Sequence, residues 1–290
     1  MSKYWHLSAG KMKVFSLGLL ILSALAVNAH AQGILGTAGS FAVLGASTVT
    51  NTGATVLNGS LGVSPGSAIT GFFGTVENDG PGIVIPPGSV QEGNAVAATA
   101  QSDATSGFNT LYGLRSTGLD LSGQDLGGKT LGAGVYTFSS SAQLTGNLTL
   151  DFGGKSNQTI VIDIGSTLTT ASASSVTIVG GNSTDSVYWV VDSSATLGTT
   201  TSFEGNIISL ASDTLNTGAT DGCGSVIALT AAVTLDDNTI STGCNSATTT
   251  TVGGLGPGTT VPEGGSTLLY LCSFLVPLGA MRVFRFRRSI

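Results

Sequence analysis

Short apolar runs alternate with Thr/Gly/Asn-rich corners along most of the chain. Between residues 186 and 241 this pattern passes three times. The passes open on Ser186-Val-Tyr-Trp-Val-Val191, Asn206-Ile-Ile-Ser-Leu-Ala211 and Ser225-Val-Ile-Ala-Leu-Thr230. Each then reaches a Thr-Leu step, at Thr196-Leu197, Thr214-Leu215 and Thr234-Leu235, and runs into a polar corner. A unit of about twenty residues with one apolar strand and one corner reads as a coil of a solenoid. No single coil buries its own apolar edge; stacked coils do.

Upstream, residues 41–44, 134–138, 144–150, 159–164 and 175–179 read as further short strands, separated by Gly-Gly and Pro-Gly turns. The pentapeptide Asn51-Thr52-Gly53-Ala54-Thr55 recurs identically at Asn216 to Thr220. Residues 89–116 break the pattern. Val96, Ala100, Ala104, Phe108 and Leu111 fall at steps of three and four, which predicts one amphipathic helix over about 89–116. Ser89 and Glu92 have the spacing of a capping box at its start. Such a helix packs along a solenoid wall.

Period-two alternation predicts which side chains face out. With the large apolar Phe203 and Val56 placed inward, Thr201, Ala54 and Ala219 also point inward. Thr200, Ser202, Gly53, Thr55, Gly218 and Thr220 then face solvent, and Thr52, Thr199 and Thr217 stand at the corner just before. Stacked coils would array these hydroxyls and methyls as a flat grid, about 4.8 Å between strands and about 7 Å along them. A rigid, uncharged grid of this kind can order water into an ice-like layer. Threonine is also simply a good strand residue, and that plain reading accounts for any one of them.

Composition agrees with a turn-rich β architecture: 43 glycines against only 9% charged residues. Charge is uneven. Residues 32–262 hold fifteen acids and three bases, a net of −12, while the other bases sit near the two ends. An acidic body repels phosphate backbones, so nucleic acid is not an expected partner. Both histidines, His6 and His30, precede Gln32. Serine and threonine therefore have no histidine base within the body. Asp236-Asp237 is the only adjacent acid pair and reads as a turn; Asp192 and Glu204 look isolated. The sequence shows no phosphate-binding or calcium loop. An enzyme is not expected, nor is a cofactor or a metal.

The ends carry their own signals. Residues 1–31 combine a basic stretch, an apolar run over 14–27 and Ala29-His30-Ala31, the pattern of a secretory signal peptide; the run is short for a membrane anchor. The solenoid domain is expected over 32–244. Cys223 and Cys244 flank its last coil, and in an exported protein the pair is expected to form a disulfide closing the solenoid end; a metal site is the competing use of the thiols. Residues 245–260 read as a Thr/Gly linker. Residues 261–290 hold Val261-Pro262-Glu263-Gly264-Gly265, an apolar run with Cys272 inside it, and an arginine tail. By the positive-inside rule those arginines stay cytoplasmic. A plain tail anchor would look similar. The arrangement resembles the sorting signals read by exosortases, the PEP-CTERM class and its Val-Pro-Asp-Ser-Gly-like variant, with Glu263-Gly264 in place of Asp-Ser. That resemblance implies a transient membrane helix, an exosortase-type sorting enzyme as partner, and delivery to the surface or extracellular matrix of a bacterium.

The ordered set Gly36-Thr-Ala-Gly-Ser-Phe-Ala-Val-Leu44, Gly59-Ser-Leu-Gly-Val-Ser-Pro-Gly66, the helix after it, Gly134-Val-Tyr136, Trp189-Val-Val191, Thr196-Leu-Gly-Thr-Thr200, Phe203-Glu-Gly-Asn-Ile207 and Leu215-Asn-Thr-Gly-Ala-Thr220 resembles the DUF3494 family of microbial ice-binding proteins. The resemblance spans about residues 33–242. It implies an all-β fold: a right-handed parallel β-solenoid of triangular section, one long α-helix alongside, and coils not stacked in sequence order. It also implies an ice-binding face built on Thr-Ala/Gly-x-Thr/Asn motifs. Thr52-Gly53-Ala54-Thr55 and Thr217-Gly218-Ala219-Thr220 match as written; Thr199-Thr200-Thr201-Ser202 departs at its second and fourth positions. The expected ice-contact set is thus Thr52, Gly53, Thr55, Thr199, Thr200, Ser202, Thr217, Gly218 and Thr220. The expected function is adsorption to an ice surface. The alternative is a non-catalytic surface adhesin or structural matrix protein on the same fold.

Overall fold

Each alternating stretch becomes one wall of a three-sided coil. A computed structural model of the chain describes residues 33–243. Their strands form three parallel sheets of nine, seven and eight strands, and each complete coil gives one strand to each sheet. Parallel pairing of successive coils satisfies the backbone of strands as short as two or three residues, which no isolated strand of that length could do.

The coils do not stack in chain order. Coil 226–241, the last in sequence, lies between coils 206–221 and 41–58. Val43 pairs with Val226, Val49 with Val233 and Val56 with Thr239. The expectation that Cys223 and Cys244 close the end of the solenoid therefore fails on topology, because the coil they flank is interior to the stack. Cys223 is buried; Cys244 lies outside the described residues, as do the predicted signal peptide, linker and carboxy-terminal sorting signal. The true ends are coil 60–84 with strand Val90–Glu92 on one side, and the strands Leu119–Asp120 and Thr130–Gly132 on the other.

The helix resolves this order. It spans Ala95–Tyr112 and carries the chain back along the nine-stranded sheet from one end to the other. It is shorter than predicted at both ends. Residues 90–92 form a strand paired with Ser60–Val63, and the cap is Asn94, whose side chain accepts from the Val96 and Ala97 amides. Glu92 instead accepts the Val76 amide, at 2.9 Å. Ala97, Ala100, Ala104, Phe108 and Leu111 face the sheet, but Val96 is 54% exposed, because at 3.6 residues per turn it falls at the edge of the face that those five define. A methyl group at Gly107 would meet the Ile34 carbonyl at 2.8 Å, so glycine permits this close approach.

Burial explains the sequence texture. The nine-stranded sheet is covered on both faces, by the solenoid interior and by the helix. In Ser186–Val191 the five residues after Ser186 are all buried, as expected of a strand enclosed on two sides. The other two sheets are covered on one face and alternate. Arg115 fastens the chain just beyond the helix. Its guanidinium pairs with the fully buried Asp163 on the sheet and with Asp192 at 2.9 Å, and it lies over the Tyr112 ring at 4.4 Å. Asp192 is thus not isolated, contrary to the sequence reading.

Candidate functional site

The seven-stranded sheet carries one aligned column of outward side chains. Gln143 pairs with Thr169, Thr169 with Thr196, Thr196 with Thr214, Thr214 with Thr234, Thr234 with Thr50, and Thr50 with Thr70. Six consecutive strands therefore present threonine at the same position. The residues beside each one, such as Ala195 and Leu197, Val233 and Leu235, or Val49, are buried. That apolar base fixes which way each threonine points, since a one-residue slip would turn the whole set inward.

A second column runs parallel, two residues upstream on each strand: Ser141, Thr167, Ser194, Ser212, Ala232, Thr48 and Ala68. Its hydroxyls are tied together. Thr167 donates to Ser141 Oγ at 2.8 Å, and the Ser194 and Ser212 hydroxyls lie 2.9 Å apart. Neither column contains an ionisable residue. The acid of these strands, Asp213, points the other way. It is fully buried, accepts from the Ser209 hydroxyl, and burial pushes its carboxyl up to about 8. At neutral pH it is a neutral group inside the solenoid, so the surface above it stays uncharged.

The predicted contact residues occupy a neighbouring place. Thr52, Thr199, Thr200 and Thr217 are exposed on the corner between the seven- and eight-stranded sheets, with Gly53 and Gly218 beside them. The corner turns through left-handed backbone at Ala173, Thr200, Gly218 and Asp237, one residue in each of four adjacent coils. At Gly53 a methyl group would lie 2.3 Å from the Asp237 amide nitrogen, so only glycine fits between these coils. Asp236 sits between the two pentapeptide copies. It accepts from Thr52 at 2.9 Å and from Thr217. These two bonds, Thr217's first, hold its carboxyl below the usual range. The corner is therefore anionic. Ser202 and Thr220 lie beyond it, paired with each other on the eight-stranded sheet and facing out.

Thr55 is the clear correction. It is fully buried, donates to Asn51 Oδ1 at 2.6 Å and accepts from the Asn238 amide at 3.0 Å. The two identical pentapeptides are one residue out of structural register. Asn51 pairs with Leu235, and Leu235 pairs with Leu215 rather than Asn216. Val56, not Thr55, stands opposite Thr239, which in turn faces Thr220. Thr55 thus takes the interior place of Ala219, while Ala54 is exposed and Val56 partly so, both against expectation. The shift is stabilised by Asn51, whose amide donates to the Gly53 and Gly71 carbonyls at 2.6 and 2.8 Å.

The threonine column itself is absent from the predicted contact set. Its signal was the Thr-Leu step shared by the three passes at Thr196, Thr214 and Thr234. Thr169, in the coil just before them in the chain, is followed by Thr170 and so lacks that step, and Thr50 and Thr70 join the column only once the stacking order is known.

A three-walled solenoid with a lateral helix and one uncharged wall lined by hydroxyls in register defines the class. The chain belongs to the ice-binding-like family, whose model matches residues 43–241. It is 45% identical over 278 residues to an ice-binding protein of Nostoc sp. (strain HG1), covering 94% of each chain. Among solved structures it is similar to an ice-binding protein from an Antarctic biological consortium, at 41% identity and a TM-score of 0.64 over 71% of this chain and 89% of that one. It is also similar to the ice-binding protein of the Antarctic ascomycete Antarctomyces psychrotrophicus, at 38% identity and a TM-score of 0.65 over 72% and 97%.

Proposed function

We propose that the protein adsorbs to ice through the seven-stranded sheet, and that the column from Thr169 to Thr70 is the centre of the contact. The observation that carries this reading is the register of six threonines on six neighbouring strands. Strand spacing sets their repeat at about 4.8 Å in one direction, and the second column adds one of about 7 Å in the other. Both are comparable with repeats of the hexagonal ice lattice. Methyl groups hold cages of water, and hydroxyls anchor those cages. The buried base and the backbone ladder hold the side chains in place, so little ordering entropy remains to be lost on adsorption. An adsorbed molecule forces the ice front to grow between pinning points with a curved surface, which lowers the local freezing point and slows recrystallisation.

The corner threonines Thr52, Thr199, Thr200 and Thr217 form the rim of this contact, with Asp236 marking where charge begins. No catalytic step belongs to this function. Export through the signal over 1–31, sorting through 261–290 and a Cys223–Cys244 disulfide remain part of the proposal; the sequence patterns support them. The test is thermal hysteresis and recrystallisation inhibition by the purified protein. Measurable hysteresis with faceted crystals supports the reading; crystals that grow as they do in buffer alone overturn it.

A further inference from the structure

The last coil in the chain meets the first at a joint that sequence adjacency does not determine. Val43 pairs there with Val226, Val49 with Val233 and Val56 with Thr239. Apolar patterning leaves the register of this joint open. In the nine-stranded sheet, residues 42–44 and 226–228 are buried throughout, so several alignments bury them equally. In the seven-stranded sheet, Thr48-Val-Thr-Asn-Thr52 meets Val233-Thr-Leu235. A slip of one residue would turn the inward set outward. A slip of two keeps every side chain on its face and sets Thr48 or Thr52, in place of Thr50, opposite Thr234.

A chain of buried polar groups crosses the same joint. Asn238 Nδ2 donates to the Asn216 and Ala219 carbonyls of coil 206–221, at 3.0 and 2.9 Å, and Asn238 Oδ1 accepts the Asp236 amide at 2.7 Å. The Asn238 backbone amide donates to Thr55 Oγ1, 183 positions away, at 3.0 Å. The Thr55 hydroxyl donates in turn to Asn51 Oδ1 at 2.6 Å, and Asn51 Nδ2 donates to the Gly71 carbonyl of the next coil at 2.8 Å. Four stacked coils are thus joined through three buried residues. Asn51 stands where the neighbouring coils have Leu235 and Leu215, so apolar packing does not call for it.

We propose that the Asn238–Thr55–Asn51 chain is a register lock, which selects the one alignment of the last coil on the first that sets Thr50 opposite Thr234. A slip of two residues would move Thr55 about 7 Å from Asn238. Buried donors and acceptors would then lack partners, a penalty that apolar side chains in the same places would not carry. A buried asparagine selects register in the same way in coiled coils, at a cost in stability. The lock does not depend on ice adsorption. A slipped strand still sets a threonine opposite Thr234, so ice activity does not report the register.

The experiment maps nuclear Overhauser contacts between threonine methyl groups in the purified full-length protein. Wild type should give a strong Thr50–Thr234 contact, with those from Thr48 and Thr52 to Thr234 several-fold weaker. Thr55→Val severs the chain. It should weaken the Thr50–Thr234 contact at least several-fold and strengthen one from Thr48 or Thr52. Thr55→Ser keeps the hydroxyl and should retain the wild-type contacts, although it loses a buried methyl group. If Thr55→Val does not fold, Asn51→Leu with Thr55→Ala gives this coil the side chains that coil 206–221 has at Leu215 and Ala219, and that variant should fold with mixed contacts. Wild-type contacts in folded Thr55→Val, or in the double variant, overturn the lock. So does equal slippage in Thr55→Ser and Thr55→Val, which would assign the effect to packing. If neither Thr55→Val nor the double variant folds, the chain is needed for folding as a whole and the register lock is overturned as well.

Discussion

Thr50 and Thr234 stand side by side on adjacent strands, their hydroxyls 3.5 Å apart, although 184 positions separate them in the chain. Their pairing joins the first coil in sequence to the last. It makes the threonine column continuous, where chain-order stacking would have left Thr50 and Thr70 at one end and Thr234 at the other.

Thr55 contributes to stability, not to ice contact. Thr55→Val keeps the side-chain shape but leaves Asn51 Oδ1 without its donor and the Asn238 amide without its acceptor. Two unsatisfied buried groups cost roughly 2–4 kcal/mol. Chemical denaturation should show that loss, while ice activity per folded molecule stays at the wild-type level. A drop in ice activity with unchanged stability would return Thr55 to the surface set.

Arg115 holds the end of the helix region against the wall. Asp163 is fully buried and has no cation other than Arg115 among the described residues, so Arg115→Met strands its charge. The expected loss is roughly 2–4 kcal/mol, at the lower part of the range for broken buried pairs because Arg115 keeps partial solvent contact. Adding Asp163→Asn should recover much of it. If the double variant is no more stable than Arg115→Met, the pairing is not what fastens this region.

Asp213 should give the fold a distinctive pH dependence. Burial raises its folded carboxyl to about 8, far above its unfolded value. The folded state therefore binds the extra proton, and this group's contribution to stability falls as pH rises from about 4 towards 8. Asp213→Asn removes the ionisation without changing the size of the side chain. The variant should gain on wild type by on the order of a few kcal/mol between pH 4 and pH 8. Parallel wild-type and variant curves over that window would mean that Asp213 does not titrate there.

The solenoid, its coil length and the lateral helix were legible because each rests on local periodicity. The Ser186 to Ser241 passes have one apolar strand and one corner per unit, and the Ala100, Ala104, Phe108, Leu111 spacing allows only a helix. The candidate surface was half legible. Thr196, Thr214 and Thr234 align within three consecutive coils, but Thr50 and Thr70 enter the column only through pairing with a distant coil, which no local pattern encodes. Thr55 misled for a related reason. An identical pentapeptide does not guarantee identical register: Asn51 takes the inward place of Leu215, and one residue of shift turns a threonine from solvent to core. Arg115 with Asp192 was invisible because ion pairing across the helix return depends on the same non-sequential order.

The central claim is that the Thr169–Thr70 column holds ice. The most direct measurement compares thermal hysteresis of wild type with that of Thr196→Tyr plus Thr214→Tyr, at equal concentration and with matched unfolding temperatures. Thr99→Tyr, on the outer face of the helix, serves as the control. The account predicts at least a several-fold loss of hysteresis in the double variant and none in the control. Wild-type hysteresis in the double variant would contradict it.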